Sequence, residues 1–338
     1  MPGTAALTKG HAAGITSVSC ASAGNCSAGG YYWTVGGGGR QAFVVSEVRG
    51  GWRKAEEVPG TAALNQGENA QITSVSCASP GNCSAAGYYW SRYRGYPESR
   101  AFVVSEVNGT WRKAEELPGT AALTRGAGAQ IASVSCASAG NCSAGGFYAV
   151  AVGGIRAFVV SEVNGTWQNA EEMPGTAALN GGNIAEMITS VSCASVGNCS
   201  AGGEYGDLYG ATSQVFVVSE VNGTWQNAEE VPGTAALNKG DAQIASVSCA
   251  SAGNCSTGGS YQNMYDGAQQ AFVVSEVNGT WRKAEEVPGT AAFNKVEYAG
   301  ITSVSCSSAG RCSAGGYYTH FGGRAQAFVV SRKVISRK

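Results

Sequence analysis

Short apolar runs separated by glycine-rich polar stretches fill this chain, and no apolar spacing of 3.6 residues is sustained anywhere. Around the second of its recurring units, four segments alternate or run apolar as strands do: Ile72 to Ser76, Cys83 to Tyr89, Ala101 to Val107 and Thr110 to Leu117. Asn108-Gly109 joins the third to the fourth, a two-residue hairpin turn in which both residues tolerate positive φ. The same pair recurs at Asn164, Asn222 and Asn278, and Arg49-Gly50 stands in its place in the first unit. The pattern predicts an antiparallel meander of four strands, with little helix.

The unit Pro-Gly-Thr-Ala-Ala begins at Pro2, Pro59, Pro118, Pro174, Pro232 and Pro288, at spacings of 57, 59, 56, 58 and 56 residues. Six repeats therefore make residues 1–338 a single domain in spite of the length. One meander cannot bury both of its faces, but stacked meanders can. An open array is the main rival, yet open arrays carry atypical capping repeats and β-helix coils are much shorter. The expected fold is all-β, a six-bladed β-propeller whose blades are four-stranded antiparallel meanders. The chain starts at the tail of a fourth strand and stops just after a third, at Ala327 to Ile335. Pairing of the N-terminal segment with the tail Val334 to Lys338 is the expected closure of the sixth blade.

Cysteines fall into six pairs with five residues between partners: Cys20 and Cys26, Cys77 and Cys83, Cys136 and Cys142, Cys193 and Cys199, Cys249 and Cys255, Cys306 and Cys312. In each pair the first ends one strand and the second starts the next, so their Cβ atoms can face each other across a hairpin. One disulfide inside each blade is expected, each contributing about 2 kcal/mol by closing a short loop. Zinc sites favour closer cysteines and added histidines, and the chain has only His11 and His320. No metal and no cofactor are expected. So regular a set of paired thiols points to an oxidising compartment, hence a secreted or cell-surface protein. Met-Pro-Gly-Thr-Ala-Ala at the N-terminus is no signal sequence, so secretion requires one removed from this chain.

Ser105-Glu106-Val107-Asn108-Gly109-Thr110-Trp111 resembles the Asp-box turn of sialidase-like propellers, one residue shorter and with Asn in place of Asp. The Val-Ser-Cys-Ala-Ser-x-Gly-Asn-Cys segment is similar to repeats of secreted actinobacterial proteins. Both resemblances imply a fold rather than an activity.

Lys and Arg number 22 against 23 Asp and Glu, which leaves no strongly basic surface for nucleic acid. Apolar runs such as Ala42 to Val45 fall far short of the roughly 20 residues that span a bilayer, so no membrane insertion is expected.

Comparison of the six copies separates packing from candidate chemistry. A Tyr six residues after the second Cys recurs at Tyr32, Tyr89, Tyr148, Tyr205, Tyr261 and Tyr318, and reads as core between blades. Glu-Glu pairs such as Glu56-Glu57 and Glu115-Glu116 recur in five copies and read as solvated outer-strand charge. Variation gathers in the loops after the second and fourth strands, which share one face of a propeller. The candidate ligand contacts there are Trp33, Trp90, Arg92, Tyr93, Arg94, Tyr209, Tyr265 and Asp266. An aromatic mouth, basic at the second copy and acidic at the fourth and fifth, suits a glycan or a protein loop. The leading expectation is a monomeric, non-catalytic binding or scaffold protein. A sialidase-like glycosidase is the alternative: it needs converging arginines, for which Arg40, Arg100, Arg156 and Arg324 are candidates, and an activated Tyr. A purely architectural repeat protein is the third reading. No catalytic residue is assigned.

Overall fold

The computed structural model describes residues 1–34, 38–93, 96–125, 127–150, 153–181, 185–206, 212–263, 268–290, 298–320 and 324–331; the side chains of residues 93, 96 and 320 are outside that description. Contacts divide the chain into two compact units, Met1–Glu172 and Met173–Lys338. In the first unit, three antiparallel meanders run through Ala13–Ser22, Asn25–Trp33 and Arg40–Val48, then Ala70–Ser79, Asn82–Tyr93 and Tyr96–Val107, then Ala129–Ser138, Asn141–Ala149 and Ile155–Val163. In the second unit they run through Ala185–Ser195, Asn198–Gly206 and Ser213–Val221, then Ala242–Ser251, Asn254–Gln262 and Gln269–Val277, then Ala299–Ser308, Arg311–His320 and Arg324–Ser331. The fold is all-β and propeller-like.

The outer strand departs from the single segment expected. It breaks into two short pieces, Thr110–Trp111 and Glu115–Glu116 in the second repeat, both paired with Tyr96–Val107. The break occurs because the Ala114 N–H leaves the ladder and donates to the Pro59 carbonyl at 2.7 Å, beyond the outer strand of the preceding meander. Ala55, Ala170, Ala228 and Ala284 do the same to Pro2, Pro118, Pro174 and Pro232. Among the described residues the last repeat has only its three long strands, and the tail expected to pair with the N-terminus falls outside them.

Pro-Gly-Thr-Ala-Ala is not the end of a strand either. Gly60 takes φ 90°, Thr61 donates its hydroxyl to the Val58 carbonyl at 2.8 Å, and Thr61–Leu64 closes one helical turn. Ala and Leu favour that turn intrinsically.

First strands are joined by serine. Val75 N–H donates to Ser17 Oγ at 2.9 Å and Cys77 N–H to Ser19 Oγ at 3.0 Å; Val134 and Cys136 donate likewise to Ser74 and Ser76. In the second unit Val247, Cys249, Val304 and Cys306 donate to Ser190, Ser192, Ser246 and Ser248. The edges of these four first strands are thus satisfied by their neighbours' side chains instead of standing open.

Apolar packing follows the same stacking. Val44, Val58, Ile72, Val75, Phe102 and Trp111 form one cluster across the first two meanders. Where a preceding meander covers them, Ile72 and Val75 are 0% and 6% exposed, against 52% and 59% for their first-repeat counterparts Ile15 and Val18. Approach between repeats is close enough that a Cβ on Gly29 would sit 2.6 Å from Ile72 Cγ2, and within the second hairpin a Cβ on Gly87 would sit 2.0 Å from the Gln71 carbonyl oxygen, opposite the bulge at Thr73.

All six cystines form within their own hairpins and no described cysteine is free. In the first five meanders the two hairpin turns at this end are also bonded to each other, as where Gly109 N–H donates to the Gly81 carbonyl at 2.8 Å. Asn108 takes φ 51° and Gly109 77°, as the turn requires, but Arg49 is also held at φ 51°. Arg49→Asn should therefore raise stability by about 1 kcal/mol, since Asn occupies the left-handed region more readily; an unchanged or lower urea midpoint would count against this. Full reduction should raise the intact mass by about 12 Da, two hydrogens for each of six bridges, and free thiol in denaturant before reduction would contradict the pairing.

Candidate functional site

At the loop end of the first meander, the second strand ends in Tyr31, Tyr32 and Trp33, and Arg40 opens the third strand directly opposite Trp33. Side chains alternate, so Tyr31 and Trp33 share one face. The Arg40 guanidinium lies 5.1 Å from the Tyr31 ring centroid and 5.7 Å from that of Trp33. It also donates to Asn69 Oδ1 at 2.9 Å, Gln71 Oε1 at 3.2 Å and the Tyr88 hydroxyl at 3.5 Å, all on the next repeat. Cation–π contact and three hydrogen bonds hold the two rings in a fixed platform, with Trp33 still 37% exposed.

The second repeat's candidates are less open. Trp90 is half-buried against the loop before its own first strand: its carbonyl accepts the Gly67 N–H at 2.7 Å, and its indole N–H is buried without a partner. Arg92 Nε donates to the Gln66 carbonyl at 3.2 Å. Arg100 is spent on Glu98 at 3.1 Å and Glu116 at 3.4 Å, so the basic side of the mouth is partly neutralised from within. The side chains of Tyr93, Arg94, Tyr209, Tyr265 and Asp266 lie outside the described residues. Trp33 and Arg40 are therefore the expected mouth residues that the structure visibly brings together.

The glutamate pairs need correction. The first of each pair is exposed, but the second accepts a hydrogen bond from the recurrent Tyr: Tyr32 to Glu57, Tyr89 to Glu116, Tyr148 to Glu172, Tyr205 to Glu230 and Tyr261 to Glu286, at 2.5 to 2.9 Å. They are the polar anchors of buried phenols, not merely solvated charge. Burial and the neighbouring carboxylate push the phenols of Tyr32, Tyr89, Tyr205 and Tyr261 well above the usual tyrosine range. A phenol so held is a poor nucleophile. The three candidate arginines of the first unit do not converge: Arg156 pairs with Glu172, while Arg40 and Arg100 serve the separate clusters described above.

Sequence reasoning missed a second set of polar groups. In Phe102-Val103-Val104-Ser105-Glu106, the alternation puts Glu106 on the face of Phe102 and Val104, and that spacing was the available signal. Glu106 is buried, and both its oxygens accept hydroxyls of the preceding repeat, from Ser46 at 2.7 Å and Ser27 at 2.9 Å. Ser84 donates likewise to Glu162, and Ser219 and Ser200 to Glu276. These glutamates line clefts between neighbouring repeats on the face of the cystines, opposite the variable loops. One of about 380 Å³ lies between the second and third repeats, with Arg112 and Lys113 on its rim. Another of about 360 Å³ lies between the fourth and fifth, with Gln226 and Asn227 in their place. No group of described residues could hold a metal ion.

No family profile matches the chain, and no curated protein does. Among solved structures it is similar to a protein of unknown function from Dyadobacter fermentans, at 11% identity over 95% of this chain and 94% of that one, TM-score 0.51. It is also similar to an ulvan lyase from a new family of polysaccharide lyases, solved with a bound saccharide, at 9% identity over 93% and 79%, TM-score 0.54. A neuraminidase-like protein from A/flat-faced bat/Peru matches at 10% identity over 98% and 91%, TM-score 0.48. Identities this low speak to fold alone.

Burial raises the carboxyls of Glu162 and Glu276 above the ordinary 4.5, with Glu115 and Glu229 adding to the rise and the serine hydroxyls opposing it. A carboxyl whose pKa is raised by folding binds its proton more tightly in the folded state. Its stabilising effect is complete below the unfolded value and is lost as pH rises through the folded one. Thermal stability should therefore increase as pH is lowered from neutral toward 4.5, and Glu276→Gln should flatten that rise; a melting temperature falling steadily over the same range in both proteins would refute it.

Proposed function

We propose that this chain is a non-catalytic recognition protein, its six repeats serving as blades of one propeller and its variable-loop face binding a glycan. The platform of Tyr31 and Trp33 clamped around Arg40 carries this reading. A flat, partly exposed indole held at a fixed angle stacks on a sugar face at little entropic cost, and Asn69 and Gln71 beside it supply hydroxyl-binding amides. Six intra-hairpin cystines support an extracellular working place. A protein loop would meet the same aromatic surface, and the protein acts as a monomer.

A glycan-cleaving enzyme is the second reading, favoured by the likeness in fold to an ulvan lyase. It lacks support from the residues, because the phenols of Tyr32, Tyr89, Tyr205 and Tyr261 are held protonated by burial and a neighbouring carboxylate, and Arg40, Arg100 and Arg156 are engaged with other side chains. Chromogenic sialosides and glycosides, and ulvan itself, should pass through unchanged.

A glycan array probed with the oxidised protein should yield binders, and Trp33→Ala should weaken them by about tenfold or more while leaving the melting temperature nearly unchanged. Trp90→Ala, by contrast, should lower the melting temperature first. Array ligands that bind equally well after loss of both Tyr31 and Trp33 would sink the assignment, and turnover of any of these substrates would replace it with the enzymatic one.

A further inference from the structure

We propose that the cleft between the fourth and fifth repeats is a second binding site, for a neutral monosaccharide unit, distinct from the variable-loop face and independent of whether that face binds anything. Its floor is built rather than incidental. Ser219 and Ser200 donate to the two oxygens of Glu276 at 2.9 and 3.3 Å, which fixes the carboxylate. Beside it stands Trp281, 5% exposed, lining the cleft, with an indole N–H that has no acceptor in the protein. In the first junction the equivalent donor is satisfied, Trp111 Nε1 donating to Ser46 Oγ at 3.1 Å. Trp167, next to Glu162 of the other large cleft, is open like Trp281. Trp225, the equivalent residue of the fourth repeat, is likewise without an acceptor, but of these three indoles Trp281 is the one that lines either cleft.

The lining selects the ligand class. A buried donor without an acceptor calls for an oxygen lone pair, while Glu229, exposed at the rim, calls for a hydroxyl donor. Gln226 and Asn227 add amides, which can donate and accept. No Lys or Arg is among the described residues lining this cleft, so Glu229 and Glu276 disfavour an anion. Mixed hydroxyl, amide and carboxylate walls disfavour a purely apolar ligand. A pyranose offers donors and acceptors around one rigid ring, and about 360 Å³ falls within the usual range of small-ligand pockets.

The test follows the Trp281 indole N–H resonance by ¹⁵N NMR on the oxidised full chain, assigned by its disappearance in Trp281→Phe. The titrants are glucose, galactose, mannose and N-acetylglucosamine, with glucosamine and glucuronate as charged comparisons. At least one neutral sugar should move this resonance saturably, with the same Kd in Trp33→Ala. Asn227→Ala, a surface change, should weaken that Kd by about threefold or more, the loss of one hydrogen bond. The proposal is overturned if no neutral sugar moves the resonance, if glucosamine or glucuronate binds more tightly, or if Asn227→Ala leaves the Kd unchanged. A shift that vanishes in Trp33→Ala would also overturn it, by placing the sugar at the variable-loop face alone.

Discussion

Everything in this structure depends on hydroxyl groups that bond a neighbour's backbone. A first strand pairs with only one partner strand, and its other edge is satisfied by Ser side chains projected from the preceding repeat, as Ser17 and Ser19 do for Val75 and Cys77. Serine is short enough to let two first strands approach closely and polar enough to replace a strand ladder. Because this contact is short, the residues behind it must be small. Hence the second strand of the first repeat carries Gly29, where a Cβ would sit 2.6 Å from the Ile72 side chain of the next repeat, and large apolar side chains such as Phe102 retreat to the third strand. The cystine then compensates for what so lean a strand pair cannot supply through packing.

Much of this architecture is legible locally. The Asn108-Gly109 turn, the cystines and the three long strands all express residues within a few positions of one another. The outer strand was misread because its interruption at Ala114 depends on Pro59, 55 residues earlier in the chain. Glu116 was read as solvated for the same reason, since its partner Tyr89 is 27 residues away. The buried Glu106 was within reach of the alternation rule, but the rule alone does not say that Ser27 and Ser46 of another repeat wait to receive it. At the mouth, aromatic richness pointed to Trp33, whereas the clamp by Arg40 with Asn69 and Gln71 belongs to two repeats at once. Local pattern locates elements; junctions between copies need the fold.

The two ends of each meander therefore do different work. At the cystine end, two turns are bonded to each other and the clefts have floors set by repeated Ser–Glu pairs, so the framework recurs from copy to copy and variation is confined to cleft rims such as Arg112 and Lys113 against Gln226 and Asn227. At the loop end, Arg40, Arg100 and Arg156 each enter a different local arrangement. A recurring framework at one end leaves the loop end free to differ from repeat to repeat.

The bond between Gly109 N–H and the Gly81 carbonyl also bears on how the chain ages. Asn-Gly is a dipeptide prone to self-modification, in which the glycine nitrogen attacks the asparagine side-chain carbonyl and closes a succinimide ring. In the four such pairs that form hairpin turns that nitrogen is already committed, at Gly109, Gly165, Gly223 and Gly279, each donating to a glycine carbonyl of the cystine turn at 2.8 to 2.9 Å. The attack must first break that bond and unseat a hairpin, so an intact cystine turn slows chemical decay at the very sequence that makes the neighbouring turn possible.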